Sequence, residues 1–121
     1  MAALPARSFH DLVVWQKSHR LALQVYGSTA GFPKAEQFGL VLQMRRAAVS
    51  VPANIAEAFG RATRPEKARL LNIAQGSLDE LRYYLVLSSD LGYVTEPGLG
   101  EAAEEVGRML DTYRRRVVSA D

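Results

Sequence analysis

The stretch Gln43-Met44-Arg45-Arg46-Ala47-Ala48-Val49-Ser50-Val51-Pro52-Ala53-Asn54-Ile55-Ala56-Glu57 decides the fold. Its apolar residues recur at helical steps, yet it carries two arginines, a mid-helix proline and polar residues at inward positions. Proline inside a helix removes a backbone donor and clashes with the preceding turn, at a cost of about 3 kcal/mol. A helix that continues through Pro52 is therefore expected to kink and to be held by tertiary contacts. The carbonyl of Ala48 loses its usual donor, and Ser50 or Asn54 can restart hydrogen bonding beyond the kink.

Outward from this stretch, Leu40, Met44, Ala47, Val51, Ile55 and Phe59 recur at steps of three and four and predict a helix over about 34–60. Glu36 falls in its first turn, where the helix dipole favours an acid. Before it, Phe32-Pro33 marks a turn, and a helix over about 10–30 places Leu12, Trp15, His19, Ala22, Leu23 and Tyr26 on one stripe. After it, Thr63-Arg64-Pro65-Glu66 reads as a capping box that opens a helix over about 64–92. The stripe of that third helix is Leu71, Ala74, Leu78, Leu81 and Leu85, then Ser88 in register, with Gly92 as the stop. A fourth helix over about 96–118 is capped by Thr95, holds Pro97 in its first turn, and turns Leu99, Ala102, Val106, Met109, Leu110, Tyr113 and Val117 inward. No run alternates in the manner of a strand. Four helices with short connections predict one all-α domain over 1–121, an up-down-up-down antiparallel four-helix bundle.

Composition narrows the function classes. At 121 residues and 48% hydrophobic content the chain can bury a core without crosslinks. It has no cysteine, which removes disulfides, thiolate catalysis and cysteine-type zinc sites and agrees with a reducing compartment. No window reaches the roughly 18 consecutive apolar residues of a membrane span, and the first nine residues hold no apolar h-region, so a cytoplasmic location is expected. The net charge of +2 hides a segregation: residues 34–69 carry seven basic and three acidic side chains, and residues 79–105 one basic and seven acidic. Such asymmetry either makes a basic face for a polyanion or lets two faces, of one molecule or of neighbouring copies, attract each other.

Arginine suits bidentate phosphate recognition. Arg45 and Arg46 are candidate RNA or DNA contacts, and Arg61, Arg64, Lys67 and Arg69 extend a basic strip around the end of the second helix. The competing expectation pairs Arg45 or Arg46 with Glu57, Glu80 or an acid on the next subunit. Arg114, Arg115 and Arg116 form a second possible patch, read chiefly as a solvated, dipole-complementing tail. Asn54, Glu57, Ser77 and Glu80, beside Ser50 and Pro52, are expected to build a polar network between the second and third helices that fixes their register.

No catalytic, cofactor or metal site is expected. His10 and His19, the only histidines, are not in Glu-x-x-His pairs of the di-iron kind. Ser50 and Ser77 lack a Gly-x-Ser-x-Gly elbow, and Gly98-Leu99-Gly100 lacks the rest of a dinucleotide fingerprint. Trp15, Tyr26, Tyr83, Tyr84 and Tyr113 at helical spacing read as core or interface ahead of base stacking. Tyr83 and Tyr84, being adjacent, cannot face the same side, and one of them is a candidate for a subunit interface.

Arg45-Arg46, the run Ser50-Val51-Pro52-Ala53-Asn54-Ile55-Ala56-Glu57 and Gly76-Ser77-Leu78-Asp79-Glu80-Leu81 carry a family resemblance. With Phe9-His10-Asp11-Leu12, Trp15-Gln16, Phe32-Pro33 followed by Glu36, and Leu91-Gly92-Tyr93, the chain resembles bacterial four-helix bundle proteins encoded in intervening sequences of large-subunit ribosomal RNA genes. The likeness covers nearly everything from Phe9 to about Val94. It implies a left-handed bundle that assembles as a ring-like homopentamer, with no established catalytic activity. A related protein, the accessory variability determinant of diversity-generating retroelements, works with a reverse transcriptase and nucleic acid, which makes nucleic-acid association credible for this chain too. Ala58 stands where the family usually has glycine, and alanine is the better helix former by about 1 kcal/mol. The expectation is a non-enzymatic homo-oligomeric module that is nucleic-acid-associated or a scaffold, possible partners being RNA, DNA or a nucleic-acid-bound protein. The alternative is a protein-interaction hub that binds no nucleic acid.

Overall fold

The computed structural model describes residues 5–93 and 95–119. Residues 1–4, Val94 at the edge of the resemblance, and the last two residues of the 1–121 domain lie outside the described residues. Four helices carry the fold: α1 (Val13–Thr29), α2 (Leu40–Phe59), α3 (Arg64–Asp90) and α4 (Leu99–Ser119). Short 3-10 turns at Phe9–Asp11 and Lys34–Glu36 precede α1 and α2, and no strand occurs among the described residues.

Each helix packs on its sequence neighbour, and α1 closes the array against α4. Cross-helix contacts fix the directions. Lys67 reaches Ala58, Ser77 reaches Ser50 and Ser88 reaches Met44, so α3 runs back along α2. Arg114 meets Asn72 and Arg82 meets Glu104, so α4 runs back along α3. Lys17 meets Glu105, while the hydroxyl of Ser28 accepts from the backbone N–H of Glu96, so α1 and α4 are also opposed. One end of the bundle is thus built from the start of α1, the end of α2, the start of α3 and the end of α4. We call it the turn end, after the α2–α3 turn it contains.

The stripe predicted for α2 is the one buried: Leu40, Met44, Ala47, Val51 and Ile55 lie in the core, and Phe59 is half-buried. On α3, Leu71, Ala74, Leu78, Leu81 and Ser88 are buried, with Leu85 half-buried against them. Ser88 satisfies its hydroxyl by donating to the carbonyl of Tyr84 at 2.7 Å, which lets a polar residue sit in a core position. α2 continues through Pro52 as one helix.

Three expectations are corrected. The buried stripe of α1 is Val14, Ser18, Leu21, Ala22, Val25 and Thr29, rotated from the predicted one. Leu23 and Tyr26 are exposed, His19 is exposed, and Trp15 is half-buried. Ser18 and Thr29 are tolerated inside because each hydroxyl donates to a carbonyl of its own helix, of Trp15 at 2.9 Å and of Val25 at 2.7 Å. Next, α2 begins at Leu40. The backbone turns away from helical geometry at Gly39 (φ −112°, ψ −107°), and Glu36 does not serve a helix start but accepts a hydrogen bond from the Tyr93 hydroxyl at 2.9 Å. Finally, α4 begins at Leu99, after Gly98 in the left-handed region (φ +84°), so neither Thr95 nor Pro97 opens it.

At the start of α3 the expected capping box is half formed, with no return bond to the Glu66 carboxylate among the described residues, and the C-terminal stop follows its sequence signal. The Thr63 hydroxyl oxygen accepts from the Glu66 N–H at 3.3 Å. At the other end Gly92 takes φ +80°, its N–H donates to the carbonyl of Ser89, and the Tyr93 N–H donates to that of Ser88. This is the paired closure of a Schellman motif, which needs a residue without a Cβ at its left-handed position.

Candidate polyanion-binding residues

Arg45 and Arg46 are adjacent in sequence but differ in surroundings. The half-buried Arg45 donates from Nε to the Thr29 hydroxyl at 2.9 Å and from Nη2 to the Tyr26 carbonyl at 3.3 Å, and its guanidinium lies 4.5 Å from the centroid of the Tyr26 ring. A cation on the last carbonyls of α1 complements the negative end of that helix dipole. Arg45 is therefore engaged in holding α1 to α2, and it pairs with neither Glu57 nor Glu80. Arg46 is exposed and forms no ion pair among the described residues.

The other four candidates gather at the turn end. Lys67 donates from Nζ to the carbonyls of Ala58 and Phe59, both at 3.0 Å, and so caps α2 as Arg45 caps α1. Arg61 pairs with Glu57 at 2.6 Å on the exposed surface, and that hydrogen bond raises the guanidinium pKa further. Arg64 and Arg69 are exposed and free of ion pairs among the described residues. Arg46 lies about 22 Å from Arg61 along α2, at 1.5 Å per residue, so the six residues do not form one strip.

The fold adds what sequence spacing concealed. α4 ends at the turn end, so Arg114, Arg115 and Arg116 join Arg61, Arg64 and Arg69 there. Arg64 and Val118 line one shallow surface pocket, which places the tail of α4 beside the start of α3. Arg114 bridges to Asn72 on α3 and, like Arg115, to Asp111 of its own helix, while Arg116 is free of ion pairs among the described residues. The opposite half carries the acids Glu36, Asp79, Glu80, Asp90, Glu96, Glu101, Glu104 and Glu105. The charge segregation of the sequence has become a polarity along the bundle axis.

The expected polar network is smaller than predicted. The Ser77 hydroxyl donates to Ser50 Oγ at 2.7 Å, and Asn54 Nδ2 donates to the Ser50 carbonyl and hydroxyl at 2.8 and 3.0 Å. Pro52, buried, lies one turn within this group. Glu57 and Glu80 stand outside it: Glu57 holds Arg61, and Glu80 accepts from the Tyr84 hydroxyl at 2.6 Å. Removing a half-buried bridge of this kind costs about 1 kcal/mol. Ser77→Ala and Asn54→Ala should each lower unfolding free energy in a denaturant titration by about that amount. Unchanged stability and oligomeric mass in both variants would sink the idea that these groups fix the α2–α3 register.

Both histidines surround the single tryptophan, His10 edge-on at 5.1 Å and His19 stacked at 5.0 Å, with Phe9 against both His10 and Trp15. No group of three or more metal-ligating side chains occurs among the described residues. Three tyrosines have pKa values above the ordinary one: Tyr84 through its hydrogen bond to Glu80 and then burial, Tyr93 through its hydrogen bond to Glu36 and then burial, and Tyr113 through burial. In each the folded state favours the neutral phenol. Their stabilisation is present below the ordinary value of about 10 and is lost as pH climbs through the raised values. Tyr93→Phe should therefore leave melting temperature less sensitive to pH in the alkaline range than in the wild type. An identical alkaline decline in both proteins would contradict that role for the Glu36–Tyr93 contact.

An all-helical bundle with unlike ends and a polar clasp between α2 and α3 is thus the class that the geometry defines. The chain belongs to the 23S rRNA-intervening sequence protein family, whose model matches residues 10–112. Among solved structures it is similar to a protein of unknown function from the S23 ribosomal protein family of Bacteroides thetaiotaomicron VPI-5482. That similarity has 25% identity and a TM-score of 0.77, and covers 85% of this chain and 96% of the other. No curated protein matches the chain. No helix among the described residues is long and apolar enough to cross a membrane.

Proposed function

We propose that the protein is a non-enzymatic, cytoplasmic module that self-associates, as a pentameric ring on the family resemblance, and holds nucleic acid by the phosphate backbone. The observation that carries this reading is the convergence of Arg61, Arg64, Arg69 and the α4 arginines at one end of a bundle whose other half is acidic. Exposed arginines offer phosphate contacts without base readout, which suits positioning rather than sequence selection. A closed oligomer repeats one weak patch several times, and repetition on a single strand or duplex converts modest contacts into avidity.

The test is an anisotropy titration of protein of known oligomeric mass against a structured RNA, a duplex DNA and a single strand, each at two salt concentrations. Affinity should fall steeply with salt, because each neutralised phosphate releases a condensed counterion. The double variant Arg61→Ala/Arg64→Ala should weaken binding at least about tenfold, or roughly 1.4 kcal/mol. Arg45→Met should leave affinity unchanged while lowering stability, since Arg45 serves α1. Absence of binding to all three probes at low salt overturns the reading and favours a protein-interaction hub.

A further inference from the structure

α3 has two seams. Leu71, Ala74, Leu78, Leu81 and Leu85 face the core, whereas Asp79, Tyr83, Val86 and Asp90 recur on its outer side at steps of four, three and four. That spacing is what one helix presents to another in coiled-coil packing, and no helix of the bundle covers it. Tyr83 and Val86, at its centre, are 59% and 58% exposed. Tyr84 turns instead to Glu80, so Tyr83 is the outward member of the pair.

The same residues line a groove between α3 and α4, whose far wall is Gly100 and Glu104. Arg82 is drawn across it toward Glu104, at 3.8 Å. Asp79 to Asp90 spans about 16 Å at 1.5 Å per residue, enough for three turns of a helix. We propose that this groove docks a cationic amphipathic helix of a partner protein. Apolar side chains of that helix would pack on Tyr83 and Val86, and basic residues at either end of it would meet Asp79 and Asp90, while Glu104 keeps Arg82 drawn aside. The acids at both ends of an apolar centre set the charge of the occupant, and the heptad spacing sets its conformation. This reading is independent of the arginines at the turn end.

Gly100 supplies a probe that spares the fold. A Cβ built there meets nothing within 4 Å, and a longer side chain at a helical glycine fills the groove and favours the helix. The measurement is anisotropy of a labelled synthetic helix about four turns long, with leucines at two central seam positions and arginines one turn out on each side. The control peptide has the same charge and no leucines. Wild type should bind the amphipathic peptide in the micromolar range and at least tenfold more tightly than the control. Gly100→Met should lose that preference while melting no lower than wild type, and Tyr83→Ala/Val86→Ala should lose it too. Equal binding of both peptides, or undiminished binding by Gly100→Met, overturns the proposal. A fall in the oligomeric mass of Gly100→Met also overturns it, because it would make the groove a contact between copies of this chain.

Discussion

Leu78→Ala is expected to cost about 3–4 kcal/mol, the range for truncating a fully buried leucine whose surroundings cannot collapse. Leu78 is fully buried on α3, and α4 comes so near that a Cβ added at Gly107 would lie 3.4 Å from its Cδ2. The glycine gives the leucine its room, so the lost side chain leaves a cavity bounded by backbone, which relaxes little. In a domain of this length the loss corresponds to a fall of about 12–16 °C in melting temperature. A drop under about 4 °C would mean that α3 and α4 can close the gap, against the packing described.

Ala74→Leu should be nearly as damaging, at about 2–3 kcal/mol from overpacking. By hydrophobic pattern alone the change is harmless, since both residues are strong helix formers and position 74 belongs to the inward stripe. Position 74 is fully buried on α3, the helix that packs against both α2 and α4. Across from it, by the register that the Ser50–Ser77 and Ala58–Lys67 contacts set, α2 presents Val51 and Ile55, both fully buried. The alanine at 74 lets the two helices close over these side chains, and the three extra heavy atoms of leucine have nowhere to go. Urea titrations of both variants measure the costs, and a neutral Ala74→Leu would show an interface looser than this.

Most of the bundle was legible because α2 and α3 are buried along stripes of uniform apolar character. Their registers, the Thr63 cap and the Gly92 stop were all readable from local rules. α1 misled for a physical reason. Its large residues, Trp15, Leu23 and Tyr26, are amphipathic or surface-lying, while two of its core positions are Ser18 and Thr29, whose hydroxyls are satisfied by their own helix. A pattern of side-chain polarity does not record that satisfaction. The start of α2 misled because Lys34–Glu36 forms a separate 3-10 turn. Glu36 has a distant partner in Tyr93, which no local signal announces.

The candidate site divided along the same line. That arginines were available was plain from composition, but their employment was not. Arg45 and Lys67 look like surface cations in sequence and prove to be clasps on the ends of α1 and α2, contacts made across a turn that helix periodicity does not register. Conversely, Arg114 reads as part of a solvated tail, and only the return of α4 along α3 brings it to Asn72, near the start of α3.

Unlike ends also give the protein an electric dipole moment along its length. In a closed assembly with subunit axes parallel, these moments add, and every copy shows the same pole to the same side. The assembly then has a front and a back: a polyanion would be drawn to one face and turned away from the other, so that the direction of approach is set before any contact forms.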